Sequence, residues 1–198
     1  MLTIGLTGGY ATGKSTAAGI LRALGAVVVD ADELSHAVIR RGEPGWRAVV
    51  DEFGTGILDP RGEIDRSALG RIVFAQPERK AALERIIHPR VMAAVRAAEA
   101  QARAEGVSVF VCEAPLLFEA GLAGEFDYVW VVSAGMDQQL ERAMTRDNLP
   151  AAEARTRVGA QWPMAEKERR ADLVLWNKGD LAELRRQIET AWASLKSR

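Results

Sequence analysis

The sequence predicts an α/β fold with a mostly parallel sheet, and three observations carry that expectation. Short apolar runs rich in valine recur along the chain, of the kind that suits strands covered on both faces. Longer stretches of helical periodicity separate them. The first run, Leu2 to Thr7, feeds into Gly8-Gly9-Tyr10-Ala11-Thr12-Gly13-Lys14-Ser15, a glycine-rich loop with Walker A spacing, and a helical pattern follows it.

The elements follow in order. Ser15 to Leu24 reads as a helix stopped by Gly25. Ala26 to Val29 is the second strand, leading into Asp30-Ala31-Asp32 and a helix that begins near Glu33. Val107 to Cys112, Tyr128 to Val132 and Leu173 to Trp176 complete a set of five. The segment from Glu33 to Gly106 is too long for one crossover helix and reads as a helical insertion on which an acceptor substrate could dock. Gly42-Glu43-Pro44-Gly45, Gly54-Thr55-Gly56 and Asp59-Pro60-Arg61-Gly62 punctuate it as loops. Asp65 reads as the N-cap of Arg66 to Phe74, and Pro77 as the first residue of another helix. Pro89 disfavours helical geometry at His88, which predicts a break or kink there. Arg90 to Glu105 is alanine-rich and helical, ended by Gly106.

Composition narrows the functional classes. A chain of 198 residues fits one domain with a lid or small insertion. Lys+Arg 26 against Asp+Glu 27 gives no basic excess, which argues against a nucleic-acid binder. The single cysteine, Cys112, excludes an internal disulfide and a thiolate cluster, and it reads as a small buried hydrophobe. His36 and His88 lack metal-ligand spacing, and core packing is the default for most of Trp46, Trp130, Trp162, Trp176 and Trp192. Met1-Leu2-Thr3-Ile4 has no basic leader, and no apolar run approaches the roughly 20 residues of a membrane helix. The chain is therefore expected in the cytoplasm, away from membranes.

The loop carries the chemistry. Its glycines let backbone N–H groups converge on phosphates at a helix N-terminus, while Lys14 reaches the β/γ-phosphates and the Ser15 hydroxyl can ligate Mg²⁺. That pattern specifies a nucleoside triphosphate but not a reaction. Asp30 and Asp32 lie past the second strand, where ligand sites gather in open α/β sheets. Asp32 is the candidate general base, with Asp30 better suited to capping the helix that follows. Arg142 and Arg146, four apart, share a helix face that fits either polyphosphate charge or solvent, with Asp147 or Glu141 as a partner. The charged stretch containing Arg155, Arg157, Gln161, Lys167, Arg169 and Arg170, broken at Pro163, fits either a mobile lid or a solvated helix pair. Asn177-Lys178-Gly179-Asp180 and Asp51-Glu52-Phe53-Gly54 spell guanine-nucleotide patterns. The latter ends a helical segment, however, and Asp180 serves as an N-cap with Glu183 completing a capping box.

With these residues in place, the chain resembles the dephospho-CoA kinase family, which phosphorylates the ribose 3′-hydroxyl of dephospho-CoA. The marks are Leu6-Thr7-Gly8-Gly9 running into Gly13-Lys14-Ser15-Thr16, Asp30-Ala31-Asp32, His88-Pro89, Pro115-Leu116-Leu117-Phe118-Glu119 and the segment from Arg142 to Asp147. Phe53-Gly54, Ile64-Asp65-Arg66, Arg157-Val158 with Gln161, and Asn177-Lys178-Gly179 extend them over essentially the whole chain. The resemblance implies a P-loop NTPase fold, α/β, with a five-stranded sheet flanked by helices. It divides the single chain into a core (about 1–32, 107–147 and 171–198), a helical CoA-binding insertion (about 33–106) and a lid (about 148–170). It implies Asp32, Lys14 and Arg142 as catalytic residues. Ala11, Thr12, Gly13, Lys14, Ser15, Thr16, Arg142, Asn177 and Gly179 would bind ATP, Thr7, Asp32 and His88 the acceptor, and Ser15 the metal. The implied cofactor is Mg²⁺ with ATP as co-substrate; the implied partners are ATP and dephospho-CoA, for a monomer or weak oligomer. Two departures stand out. Ala11-Thr12-Gly13 replaces a frequent Gly-Ser-Gly, and Glu113 stands where many members carry aspartate, so no metal role is assigned to it.

Overall fold

Five short, largely apolar segments form one sheet in the computed structural model, which describes residues 1–196. They are β1 (Leu2–Gly8), β2 (Val27–Asp30), β3 (Val109–Glu113), β4 (Tyr128–Ser133) and β5 (Leu173–Trp176), in the order β2-β3-β1-β4-β5. β1 pairs in parallel with β3 (Leu6 opposite Glu113) and with β4 (Thr7 opposite Val131), and β4 pairs in parallel with β5. The three inner strands are almost wholly buried and the two edge strands are not, as sheet faces covered by helices require.

The described residues fall into two compact units, Met1–Val29 with Ala102 onward, and Asp30–Gln101. In the first, α1 (Lys14–Ala23) and α9 (Leu181–Lys196) cover one sheet face. Ile4, Leu6, Val109, Val111, Trp130, Val132 and Leu175 meet Ala17, Ile20 and Leu21 of α1 and Leu184, Ile188 and Trp192 of α9 in one core. Cys112 is buried on β3. The first unit also holds α6 (Met136–Asp147), α7 (Ala151–Gly159) and α8 (Met164–Arg170), the last two separated by Pro163, which caps α8. Asp180 caps α9 through the Ala182 N–H, but Glu183 faces down the helix to Arg186 and Gln187.

The second unit comprises α2 (Ala31–Ala37), α3 (Pro44–Phe53), α4 (Arg66–Ala75) and most of α5 (Pro77–Ala104). Ile39, Val49, Ile57, Leu69 and Val73 form its core, with Leu83, Ile86 and Ile87 packed against them. Asp65 caps α4 from Ser67 N and Ala68 N, and Pro77 opens α5. Three expectations need correction. Pro44 and Gly45 begin α3 instead of a loop, since proline's fixed φ suits a first helical turn. α5 runs through His88 and Pro89 without a break. Its apolar stripe there packs on the core, and the Arg90 guanidinium donates to the Ile86 carbonyl at 2.6 Å, serving an acceptor near the missing proline N–H. Of the five tryptophans only Trp130 and Trp192 are buried; Trp176 is exposed, and the Trp46 indole N–H donates to the Gly62 carbonyl at 3.0 Å.

Candidate active site

β1 ends at Gly8 and α1 starts at Lys14, so the intervening loop wraps the N-terminus of a helix that has no side-chain cap. Those first N–H groups lack intrahelical acceptors, which makes the loop an anion site. Gly13 sits at φ 92° as the N-cap, and a Cβ there would lie 2.1 Å from Asn177 Nδ2, so only glycine fits. The Thr12 hydroxyl donates to the Gly9 carbonyl at 3.0 Å and closes the loop on itself.

The register of β3 against β1 brings Glu113 to the base of this loop. One carboxylate oxygen, Oε1, accepts from Lys14 Nζ at 3.1 Å and from the Ser15 hydroxyl at 2.7 Å. Glu113 is only 3% exposed, and a buried carboxylate without these partners would cost several kcal/mol. Cation, hydroxyl and carboxylate thus converge on one point. On sequence grounds a metal role was withheld from Glu113 because many members of the family carry aspartate there, and the contact that this residue makes with Lys14 and Ser15 was not visible. Its position as the last residue of a buried strand was the signal available.

On the other flank, Arg142 of α6 reaches back to Thr12 O (3.4 Å), Asn177 O (3.1 Å) and Asn177 Oδ1 (3.3 Å), while Asn177 Nδ2 donates to Thr12 O at 2.8 Å. Among the described residues its hydrogen bonds go to neutral oxygens, so its charge remains available to an anion. Ala11, Gly13, Thr16, Arg142, Asn177 and Gly179 line one cavity of about 430 Å³. Arg146, on the same helix face, forms a two-point ion pair with Asp147 at 2.8 Å each, one of the two partners considered for it.

Other expected site residues lie differently. Thr7 is fully buried, and its hydroxyl donates to the Pro115 carbonyl at 3.2 Å. Asp32 sits inside the first turn of α2, in the second unit, where Asp30 is the N-cap and accepts from the Asp32 N–H at 2.8 Å. His88 is half-buried within α5 of that same unit. His36, at the end of α2, is held below the ordinary histidine value by burial and then by the charge of Arg66. Within the charged stretch after Asp147, Lys167 is fully buried. It pairs with Glu119 Oε1 at 2.9 Å and donates to the Pro115 carbonyl at 2.8 Å. Desolvation pushes its pKa down against the pull of Glu119. The charge pattern gave no sign of this burial.

The family model described as dephospho-CoA kinase matches residues 2–183. The dephospho-CoA kinase of Geobacillus kaustophilus is 48% identical over 187 residues, 94% of this chain and 93% of that one. Among solved structures, TT1252 from Thermus thermophilus superposes with a TM-score of 0.82 at 35% identity, covering 98% of this chain and 97% of that one. The dephospho-CoA kinase from Campylobacter jejuni gives 0.72 at 29% identity, with 98% and 96% covered. The sheet order, the loop before α1 and these likenesses agree on a P-loop kinase fold, and the chain belongs to the dephospho-CoA kinase family.

Proposed function

We propose that the protein transfers the γ-phosphoryl group of ATP to the ribose 3′-hydroxyl of dephospho-CoA, giving CoA and ADP in the last step of CoA biosynthesis. The observation that carries the reading is the meeting of Lys14, Ser15 and Glu113 at the phosphate loop. Loop amides and Lys14 hold the β/γ-phosphates, and the Ala11–Asn177–Gly179 cavity receives the nucleoside end of ATP. Lys14 would then exchange its pairing with Glu113 for the phosphates.

The donor set fits a hard cation. An ion bound mainly by substrate phosphates needs only one or two protein oxygens. Ser15 and Glu113, sharing a hydrogen bond, are the residues that would hold Mg²⁺, the latter directly or through water. Mg²⁺ when bound supplies charge neutralisation on the phosphates. Asp32 orients the acceptor hydroxyl and takes its proton as the new O–P bond forms and the γ-phosphoryl leaves the β-phosphate oxygen. Arg142 offsets charge on the transferring group.

The same proposal takes the insertion of about 33–106, with Asp32 and His88, as the acceptor-binding part, and residues 148–170 as a lid that excludes water. Thr7 supports the site through Pro115. A monomer or weak oligomer working in the cytoplasm, without nucleic acid or membrane, completes the proposal. An acceptor panel tests it: Mg²⁺-ATP with dephospho-CoA, sugars, shikimate or nucleosides, read by ADP release and product mass. Stoichiometric CoA is expected. Phosphorylation of another acceptor with dephospho-CoA untouched would overturn it.

A further inference from the structure

Tyr10 stands in the middle of the phosphate loop, between Gly9 and Ala11, and takes part in none of the roles above. A phenol has one proton to give and lone pairs to accept with. Here the proton goes to Asp147 Oδ2 at the end of α6, and the oxygen accepts from Arg157 Nη1 of α7 at 3.2 Å. Asp147 is itself gripped by Arg146. The guanidiniums of Arg146 and Arg157 lie 5.5 and 5.9 Å from the Tyr10 ring centroid, within reach of its π face. The ring packs on Ala11, Ala143 and Ala154. A phenyl ring alone would supply that packing and the cation–π contacts, so the hydroxyl does something packing does not require.

Arg157 has a second partner on its own helix, Glu153 Oε1, which accepts from Nη2 at 2.7 Å in an exposed pair four residues apart while Nη1 serves the phenol. Left to that partner, the guanidinium stays on the α7 surface. The phenol oxygen adds a directed bond to the loop beyond the cation–π contact. Hydrogen bonds donated by Arg146 and Tyr10 hold the Asp147 carboxyl well below the usual carboxylate range.

We propose that Tyr10 is a positioning residue: its hydroxyl couples the phosphate loop to the α6–α7 segment and presets Arg157 for charge developing on the transferring phosphoryl group. The proposal rests on the kinase function above. Phosphoryl transfer depends on cations placed in advance, and small misplacements lower the rate without abolishing binding.

Tyr10→Phe keeps the ring and removes only the link. In a coupled assay with Mg²⁺-ATP and dephospho-CoA, kcat should fall on the order of 10-fold with ATP KM within about 2-fold and Tm unchanged. The double variant Tyr10→Phe/Arg157→Ala should be no slower than Arg157→Ala alone. An unchanged kcat, multiplicative losses in the double variant, or a Tm loss that tracks the rate loss would each overturn the proposal. Failure of the wild-type protein to make CoA would instead strike the kinase reading. Hydrogen exchange of residues 151–159 with and without the ATP analogue AMP-PNP then tests the link on its own. Protection on nucleotide binding should be lost in Tyr10→Phe, and equal protection in both proteins would overturn it.

Discussion

Replacing Lys167 by methionine removes a positive charge from a place that water does not reach. The ammonium is fully buried, and its ion-pair partner Glu119 is 17% exposed and held at 2.9 Å. Glu119 keeps the Trp162 N–H at 3.0 Å after the change, but its other oxygen, Oε2, is already buried without a hydrogen-bond partner among the described residues. The Pro115 carbonyl loses one donor and retains the Thr7 hydroxyl, so the carbonyl contributes little to the loss. What dominates is a carboxylate left uncompensated, for which breaking a buried pair costs about 3–5 kcal/mol. At about 2–4 °C per kcal/mol for a chain of this size, Tm should drop by about 6–20 °C. Adding Glu119→Gln removes the stranded charge and should restore a coupling energy of about 2 kcal/mol or more. Thermal melts and urea titrations of the four proteins in the cycle measure this. A single-variant loss below about 1 kcal/mol, or simple additivity, would refute the reasoning. The pH dependence supplies a second measure. Because burial lowers the pKa of Lys167 from 10.5, the unfolded chain binds more protons than the folded one between the lowered value and 10.5. This group's contribution to stability therefore rises with pH across that window, and the penalty on folding is fullest below it. Wild-type stability minus that of the double variant should climb with pH there, and a flat difference would contradict the assignment.

The remaining predictions concern the reaction. Lys14→Ala should lower kcat at least on the order of 1,000-fold, because it removes the cation meant for the β/γ-phosphates; retained turnover with dephospho-CoA would sink the mechanism. Glu113→Gln should raise the Mg²⁺ concentration for half-maximal rate by roughly 10-fold, read from rates at saturating ATP, and an unaltered Mg²⁺ curve would leave Glu113 as a structural partner of Lys14 only. Asp32→Asn should lower kcat on the order of 100-fold or more while ATP affinity, measured by calorimetry, stays within about 2-fold. An unchanged rate would return Asp32 to a place in the first turn of α2 and nothing more.

Local chemistry was legible in the sequence where it was decided locally. Short apolar runs marked all five strands, Leu173 to Trp176 to the residue, because a strand packed in a helix-covered sheet needs such a run. Asp65 and Asp30 announced themselves as caps because an N-cap bonds within its own first turn. Pro89 misled because a local rule was overridden by tertiary packing of Leu83, Ile86 and Ile87. Glu113 was noticed only as a departure from aspartate; its contact with Lys14, 99 positions earlier, was not legible because only strand order brings the two together. Lys167 hid for a related reason. It stands among Glu166, Glu168, Arg169 and Arg170, a run that reads as a solvated face, and its distant partner in the Pro115–Glu119 stretch is what draws it inward.

Asn177 donates to the Thr12 carbonyl across 165 positions and presses against Gly13. During translation the phosphate loop is made 165 positions ahead of Asn177, which forms one of its walls. At about 5–20 residues per second, the loop waits roughly 10–30 s for that wall to be made. Until then the β1–loop–α1 segment is an unfinished anion site, and β3, β4 and β5 are made only within that interval. A nascent chain shortened before Asn177 would carry the whole phosphate-loop motif and still lack the contact that closes it.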